Sequence, residues 1–145
     1  MKKWIIYSIV LLMAFACQAP CIESPAPTFR VSFFDKKDKN AKSFVFKSIK
    51  GVGRDSVLYN AQSGSLGFVD LPVSPLSDSV SFVFDRDSVI NTFTIRYGRT
   101  FSVVCDVQSA FSDLVLRQSN FDSIVVVKNS LDTKLQTNIQ VYYSR

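Results

Sequence analysis

The segment SVSFVFDRDSVINTFTIRY, residues 79–97, decides the fold of this chain. Val80, Phe82 and Phe84 occupy alternate positions, the pattern of a strand with one buried face. The run 89–97 is rich in the β-branched and aromatic residues that strands favour. Asp and Arg residues at 85–87 separate the two runs and suit a tight turn. The segment therefore predicts a β-hairpin, 79–84 into 89–97.

The same signals extend in both directions from this hairpin. Short apolar runs recur about every ten residues, separated by clusters rich in Gly, Pro, Asn, Asp and Ser. The predicted strands are 29–33, 44–49, 52–59 and 65–69 upstream, and 100–107, 114–116, 124–127 and 139–143 downstream, with a turn at Gly98-Arg99 and a loop over 108–112.

Eight to ten short strands without an amphipathic helix indicate an all-β fold. Regular turn spacing favours an antiparallel β-sandwich of immunoglobulin-like type, and one closed sheet is the alternative. No repeat of fixed period and no second domain are visible, so residues 29–145 are predicted to form a single domain.

The first sixteen residues have the pattern of an export signal. Lys2 and Lys3 precede the uncharged run 4–16, which is shorter than the roughly 20 residues of a membrane-spanning helix. Residues 1–16 are therefore predicted to be a signal peptide, with a buried helix as the alternative.

Cys17 directly follows this run, and Ala14 and Ala16 supply the small residues of a lipobox. We expect cleavage before Cys17 and lipidation of its thiol; ordinary cleavage after Ala16 is the alternative. Residues 17–28 contain three prolines and are predicted to form an extended tether.

Two further cysteines, Cys21 and Cys105, then remain as an even pair in an oxidising compartment. A disulfide between them is predicted, with a loop closure that stabilises by roughly 4 kcal/mol. Two unpaired thiols are the alternative, since Cys105 lies in an apolar run where a buried thiol is acceptable.

Several stretches resemble one family. They are the lipobox cysteine, Cys21 followed by Pro residues and the run 29–35, and the runs 91–97, 101–105 and 138–143. Together they resemble a family of small uncharacterised lipoproteins of Bacteroidota, defined only as a domain of unknown function. The resemblance implies a cell-envelope location and a paired Cys21 and Cys105; it implies no activity.

The residues needed for common catalytic sites are missing from the sequence. The chain has no histidine, which excludes His-dependent nucleophilic systems and His-containing zinc sites. The carboxylate pairs Asp35/Asp38 and Asp85/Asp87 flank predicted turns, where Asp is favoured for local hydrogen bonding. We expect no catalytic residues, no metal ligands and no cofactor.

These observations favour a non-catalytic, lipid-anchored envelope protein that binds another envelope component through a sheet face or an exposed strand edge. A small-ligand or glycan-binding lipoprotein is the alternative. Removal of Lys2 and Lys3 lowers the net charge from +5 to +3, too mild to indicate nucleic acid. Gln18 after the lipidated cysteine favours the outer membrane.

Overall fold

The computed structural model describes residues 27–86, 89–104, 106–131 and 136–144. This part of the chain forms eleven β-strands and one short 3-10 turn, Ala61–Ser63. The strands are β1 Thr28–Asp35, β2 Phe44–Val45, β3 Ser48–Gly51, β4 Val57–Asn60, β5 Ser65–Leu66, β6 Phe68–Pro72, β7 Ser79–Arg86, β8 Val89–Val104, β9 Asp106–Ser119, β10 Ser123–Val126 and β11 Thr137–Tyr143.

These strands build two main sheets. A four-stranded sheet has the order β10-β11-β1-β6, and a five-stranded sheet has the order β4-β3-β7-β8-β9. A small pair, β2 with β5, forms a third sheet. The architecture confirms the predicted all-β sandwich and is not a single closed sheet.

Strict alternation of residue type explains why the two main sheets pack face to face. In β1, Phe29, Val31 and Phe33 are fully buried while the residues between them are half-buried. The Phe29 ring lies 5.7 Å from that of Phe82 on β7, and this contact joins the sheets. Each fully buried side chain of this size contributes about 1.5–3 kcal/mol.

One strand pair departs from the antiparallel pattern. β1 pairs with β11 in parallel, with Val31 opposite Ile139 and Phe33 opposite Val141. The other strand pairs of the described residues are antiparallel. Alternation with a period of two is the same for both directions, so it could not distinguish them.

The predicted turn at Gly98-Arg99 is wrong. β8 continues through both residues to Val104, and Arg99 is paired with Phe111 on β9. Gly98 allows β9 to approach β8 closely, because a Cβ at this position would lie only 3.1 Å from Ser112 Oγ. The loop expected over 108–112 is likewise wrong, since these residues belong to β9. The strand expected at 114–116 is confirmed, but it is part of the longer β9.

The second and third predicted strands are also shorter than expected. Phe46 lies between β2 and β3, so the run 44–49 is divided. The run 52–59 contributes only β4, because Gly53 has a φ of 76° and the Arg54 amide donates to Gly51 O in a turn. The predicted signal peptide and most of the predicted tether lie outside the described residues.

Candidate functional site

The most unusual element is a two-stranded projection formed by β8 and β9. β7 pairs with β8 only from Val89 to Arg96, where Ser79 is the last partner. Beyond that point the described partner of β8 is β9, up to Val104 opposite Asp106. We call residues 98–104 and 106–112 the arm. Seven residues of β8 at about 3.3 Å each give the arm a length of roughly 23 Å.

The base of the arm is held by Tyr97, whose side chain is 2% exposed. Its hydroxyl accepts a hydrogen bond from Ser74 N at 3.0 Å and donates one to Ser74 O at 3.0 Å. The Tyr97 ring makes an edge contact with Phe111 at 5.6 Å. Tyr97 therefore fixes the arm to residues 73–78, the connection between β6 and β7, which we call the strap.

A second attachment comes from Arg99. Its guanidinium donates to Pro75 O at 2.8 Å and to Asp78 Oδ1 at 2.7 Å. The Tyr97 amide donates to Asp78 O at 2.9 Å. Backbone and side-chain bonds thus set the strap against the first residues of the arm.

Two β-bulges interrupt the ladder at the base of the arm. Thr94 and Ile95 face Gln118 and Leu116, so Arg117 is an extra residue on β9. Arg96 and Gly98 face Val115 and Ser112, which leaves Asp113 and Leu114 opposite Tyr97 alone. Such bulges bend a strand and redirect side chains, and they are common beside functional sites.

Asp113 takes up the strain of the second bulge. Its φ is 54°, a left-handed conformation that Asp tolerates better than most residues. Ser112 Oγ donates to Asp113 Oδ2 at 2.9 Å and holds the carboxylate near Gly98.

An open groove of about 440 Å³ lies between the strap and the two bulges. Its charged lining residues are Asp78, Arg96, Arg99, Asp113 and Arg117, with Val115 between the bulges. Arg99 is paired with Asp78. Arg96 and Arg117 are exposed, and among the described residues neither forms an ion pair. Three guanidinium groups and two carboxylates therefore line the groove, and Arg96 and Arg117 have no ion-pair partner among the described residues.

The chain enters the sandwich at the same end as the arm. Pro27 O accepts a hydrogen bond from Val73 N at 3.0 Å, and Thr28 pairs with Pro72 at the end of β6. The strap then crosses from β6 to β7, whose first residue pairs with Arg96. Pro27 and Thr28 thus lie at the end of the sandwich that carries the base of the arm.

The opposite end of the sandwich carries an aromatic cluster. The Arg86 guanidinium lies 5.1 Å from the Phe44 ring centre and 4.9 Å from that of Tyr143. Burial raises the pKa of the Tyr143 hydroxyl, although the nearby Arg86 opposes this shift. Among the described residues, the Tyr143 hydroxyl has no hydrogen-bond partner.

Only some of the candidate site residues from the sequence are described by the structure, and those that are lie in or beside β1, β7 and β11, away from the groove. Cys17, Cys21, Cys105 and Asp87 lie outside the described residues. Asp35 pairs with Lys42 at 2.7 Å, and Asp38 accepts a bond from the Asn40 amide, so both organise the turn after β1. Tyr142 and Tyr143 lie on opposite faces of β11, the first half-buried and the second buried.

The arm and its bulges were missed at the sequence level. The one local signal is Gly98 inside an apolar run, since an isolated glycine in a strand often marks a bulge or a close approach. The described residues contain no group of three or more acidic or thiol side chains suited to a metal ion. None of them forms a helix long and apolar enough to cross a membrane.

Residues 47–143 match the model of DUF6452, a family of unknown function. The chain belongs to DUF6452. The matched DUF6452 segment includes the strap, the arm and both bulges, and it leaves out β1 and β2. β1 nevertheless lies between β11 and β6 and completes the four-stranded sheet. Comparisons with curated proteins and with solved structures find no significant match.

Proposed function

We propose that this protein is a non-catalytic, lipid-anchored binding module of the cell envelope, and that the arm is its contact element. The observation that carries the proposal is the arm itself. Beyond the last β7–β8 pair, Ser79 with Arg96, β8 continues for eight residues paired with β9, and β9 is an edge strand of its sheet.

The physical reason is the marginal stability of such a ribbon. An isolated pair of strands has little stability in water, because no third strand or packed layer buries its face. Its unpaired N–H and C=O groups offer a template for another strand. Strand addition at an exposed edge is an established mode of peptide recognition. A partner strand on the β9 edge would stabilise the arm while it binds.

The entry point of the chain supports a contact near the membrane. If Cys17 carries lipid, Pro27 lies ten residues after the anchor, a distance of at most about 33–36 Å when the chain is fully extended. The arm projects about 23 Å from the same end of the sandwich. In this arrangement the arm occupies the space between the domain and the lipid surface.

The predicted disulfide fits the same arrangement. Cys21 is six residues from Pro27, a reach of roughly 20 Å, and Cα atoms joined by a disulfide lie about 5.5–6 Å apart. Cys105 follows Val104, which ends β8 seven residues beyond Tyr97, or about 23 Å along the strand. The bond is therefore within reach only if residues 21–27 run nearly extended along the arm, where they would brace it.

An arm-shortened variant tests the proposal. Residues 100–110 are replaced by Asn-Gly, a two-residue hairpin turn that joins the paired residues Arg99 and Phe111. The tagged full-length chain is cross-linked gently in membranes, purified in detergent, and its neighbours are identified by mass spectrometry. We expect the wild-type chain to retain a dominant neighbour and the shortened variant to lose it, with an unchanged circular dichroism spectrum.

The matched control alters the opposite edge of the same sheet. Val57 on β4 is 48% exposed, and Val57→Lys places a charge on that edge. We expect this variant to keep the neighbour. A folded arm-shortened chain that retains the same neighbour overturns the proposal.

A small-ligand binder is the second candidate, because the groove at the base of the arm brings unpaired guanidinium groups together. Thermal-shift measurements with acidic envelope glycans and phosphorylated compounds test it, and the absence of any shift contradicts it.

A further inference from the structure

We propose that the groove between the strap and the two bulges binds a phosphate group, carried by a lipid headgroup or by a soluble phosphorylated compound. This site is independent of strand addition at the arm and stands even if no protein pairs with β9.

The charge distribution in the groove favours the binding of an anion. Of the two carboxylates, Asp78 is taken by Arg99 at 2.7 Å. Within the described part of the chain, Arg96 and Arg117 have no carboxylate at ion-pair distance. Two guanidinium groups that line one groove repel each other, and the Asp113 carboxylate offsets only part of this repulsion, so a shared anion lowers the electrostatic energy of the groove.

The backbone of β9 also supports a binding site in this groove, because it is irregular there. Two bulges fall within five residues of β9 and frame Val115, whose partner is Arg96. One bulge has Arg117 as its extra residue, and the other places Asp113 at a φ of 54°. A regular ladder would need neither. Bulges that redirect charged side chains into one groove are typical of a binding site.

The ligand class follows from the donors. A guanidinium presents a planar fork that matches the oxygens of phosphate, and arginine is the residue of choice for phosphate recognition. A phosphate has enough oxygens to accept hydrogen bonds from both guanidinium groups at once, whereas the two oxygens of a carboxylate match one guanidinium fork. The groove of about 440 Å³ is open and holds more than a bare ion, so it accommodates a substituted phosphate.

Asp113 lies in the same groove, and its substitution tests whether the anion binds there. Its carboxylate is held by Ser112 at 2.9 Å and lines the same groove, so it repels any anion there. Asp113→Asn keeps the shape and removes the charge. If the anion binds in this groove, that variant binds it more tightly.

The experiment follows the Nε signals of Arg96 and Arg117 by NMR on the full chain in detergent micelles. Inorganic phosphate, glycerol 3-phosphate and acetate are titrated at constant ionic strength, with the signals assigned from Arg96→Gln and Arg117→Gln. We expect saturable shifts of both signals with the two phosphates and weak, non-saturating shifts with acetate. Each Gln variant should weaken phosphate binding about tenfold or more.

Lys47→Gln is the matched charge control. Lys47 is exposed, and its amide donates to Asp85 O near the opposite end of β7. This variant should bind phosphate as the wild type does, and Asp113→Asn more tightly. Equal weakening by Lys47→Gln, equal binding of acetate, or the absence of a saturable shift with both the free phosphates and phosphatidylglycerol overturns the proposal.

A comparison of two kinds of micelle identifies the source of the phosphate group. One contains phosphatidylglycerol, and the other contains diacylglycerol of the same chain length, which has no phosphate. Shifts of both signals produced by phosphatidylglycerol alone support the site and assign it to a headgroup. Shifts confined to the free phosphates support it and assign it to a soluble compound.

Discussion

Tyr97 and Tyr143 are both buried, but their hydroxyl groups differ in what they bond, and this difference predicts opposite effects of the same substitution. The Tyr97 hydroxyl makes two hydrogen bonds to the backbone of Ser74. The Tyr143 hydroxyl is buried without a partner among the described residues. Tyr97→Phe and Tyr143→Phe each remove one oxygen atom and leave the ring packing in place.

The expected magnitudes follow from those bonds. Tyr97→Phe loses two bonds worth about 1 kcal/mol each, and water replaces part of the loss because Ser74 is only half-buried. We expect the free energy of unfolding to fall by about 1–2 kcal/mol. Tyr143→Phe removes an unpaired buried hydroxyl, so its effect should lie between zero and a gain of about 1 kcal/mol.

The pH dependence sharpens the contrast. Burial raises the pKa of Tyr143 above its usual value of 10.0 in the folded chain. Above pH 10.0 the unfolded chain loses this proton while the folded chain keeps it, so the wild-type fold loses stability as pH rises. Tyr143→Phe removes this term. Its stability relative to wild type should therefore increase above pH 10.0, by at most about 1.4 kcal/mol per pH unit.

Urea unfolding of the full chains in detergent, followed by circular dichroism, measures both effects. The wild type is the reference at neutral pH and again above pH 10.0. A loss of stability of similar size in both variants would refute the reasoning, because it would mean that the Tyr143 hydroxyl is bonded in the folded chain. An unchanged Tyr97→Phe variant would refute the attachment of the arm to the strap.

Three other substitutions or measurements test separate parts of the structure. Phe33→Ala removes a fully buried ring that meets four other aromatic rings and should destabilise by about 3–5 kcal/mol in the same assay, with Phe33→Leu less severe. Arg99→Gln breaks a half-exposed ion pair, so it should cost under about 1 kcal/mol but accelerate amide exchange in the strap. Peptide mapping without reductant should yield a Cys21–Cys105 linked peptide that disappears on reduction; two alkylated thiols would contradict the predicted bond.

The part of the fold that the sequence predicted well rests on alternation. Phe82 and Phe84 face the core because every second residue of a strand lies on the same face. The hairpin of β7 and β8 was predicted from that rule. The strands at 29–33 and 139–143 followed in the same way, as β1 and β11. Their parallel pairing did not, since alternation carries no direction.

The candidate site was not predictable for a different reason. Gly98 was interpreted as a turn residue because glycine and a following charged residue are typical of turns. In the structure it stands in the middle of β8, where the absence of a Cβ admits Ser112 and Asp113. Arg96 and Arg117 come together only because a bulge changes the register of β9 by one residue, and no local pattern of residues encodes that shift.

The central claim is that the arm is covered by a partner in the envelope, and hydrogen exchange tests it most directly. Amide exchange is compared by mass spectrometry between the protein in native membranes and the protein purified in detergent. We expect amides in peptides from 98–104 and 106–112 to exchange at least about tenfold more slowly in membranes, whereas the exchange rates of peptides from β1 and β7 should be the same in both preparations. Equal exchange of the arm peptides in both preparations would contradict it.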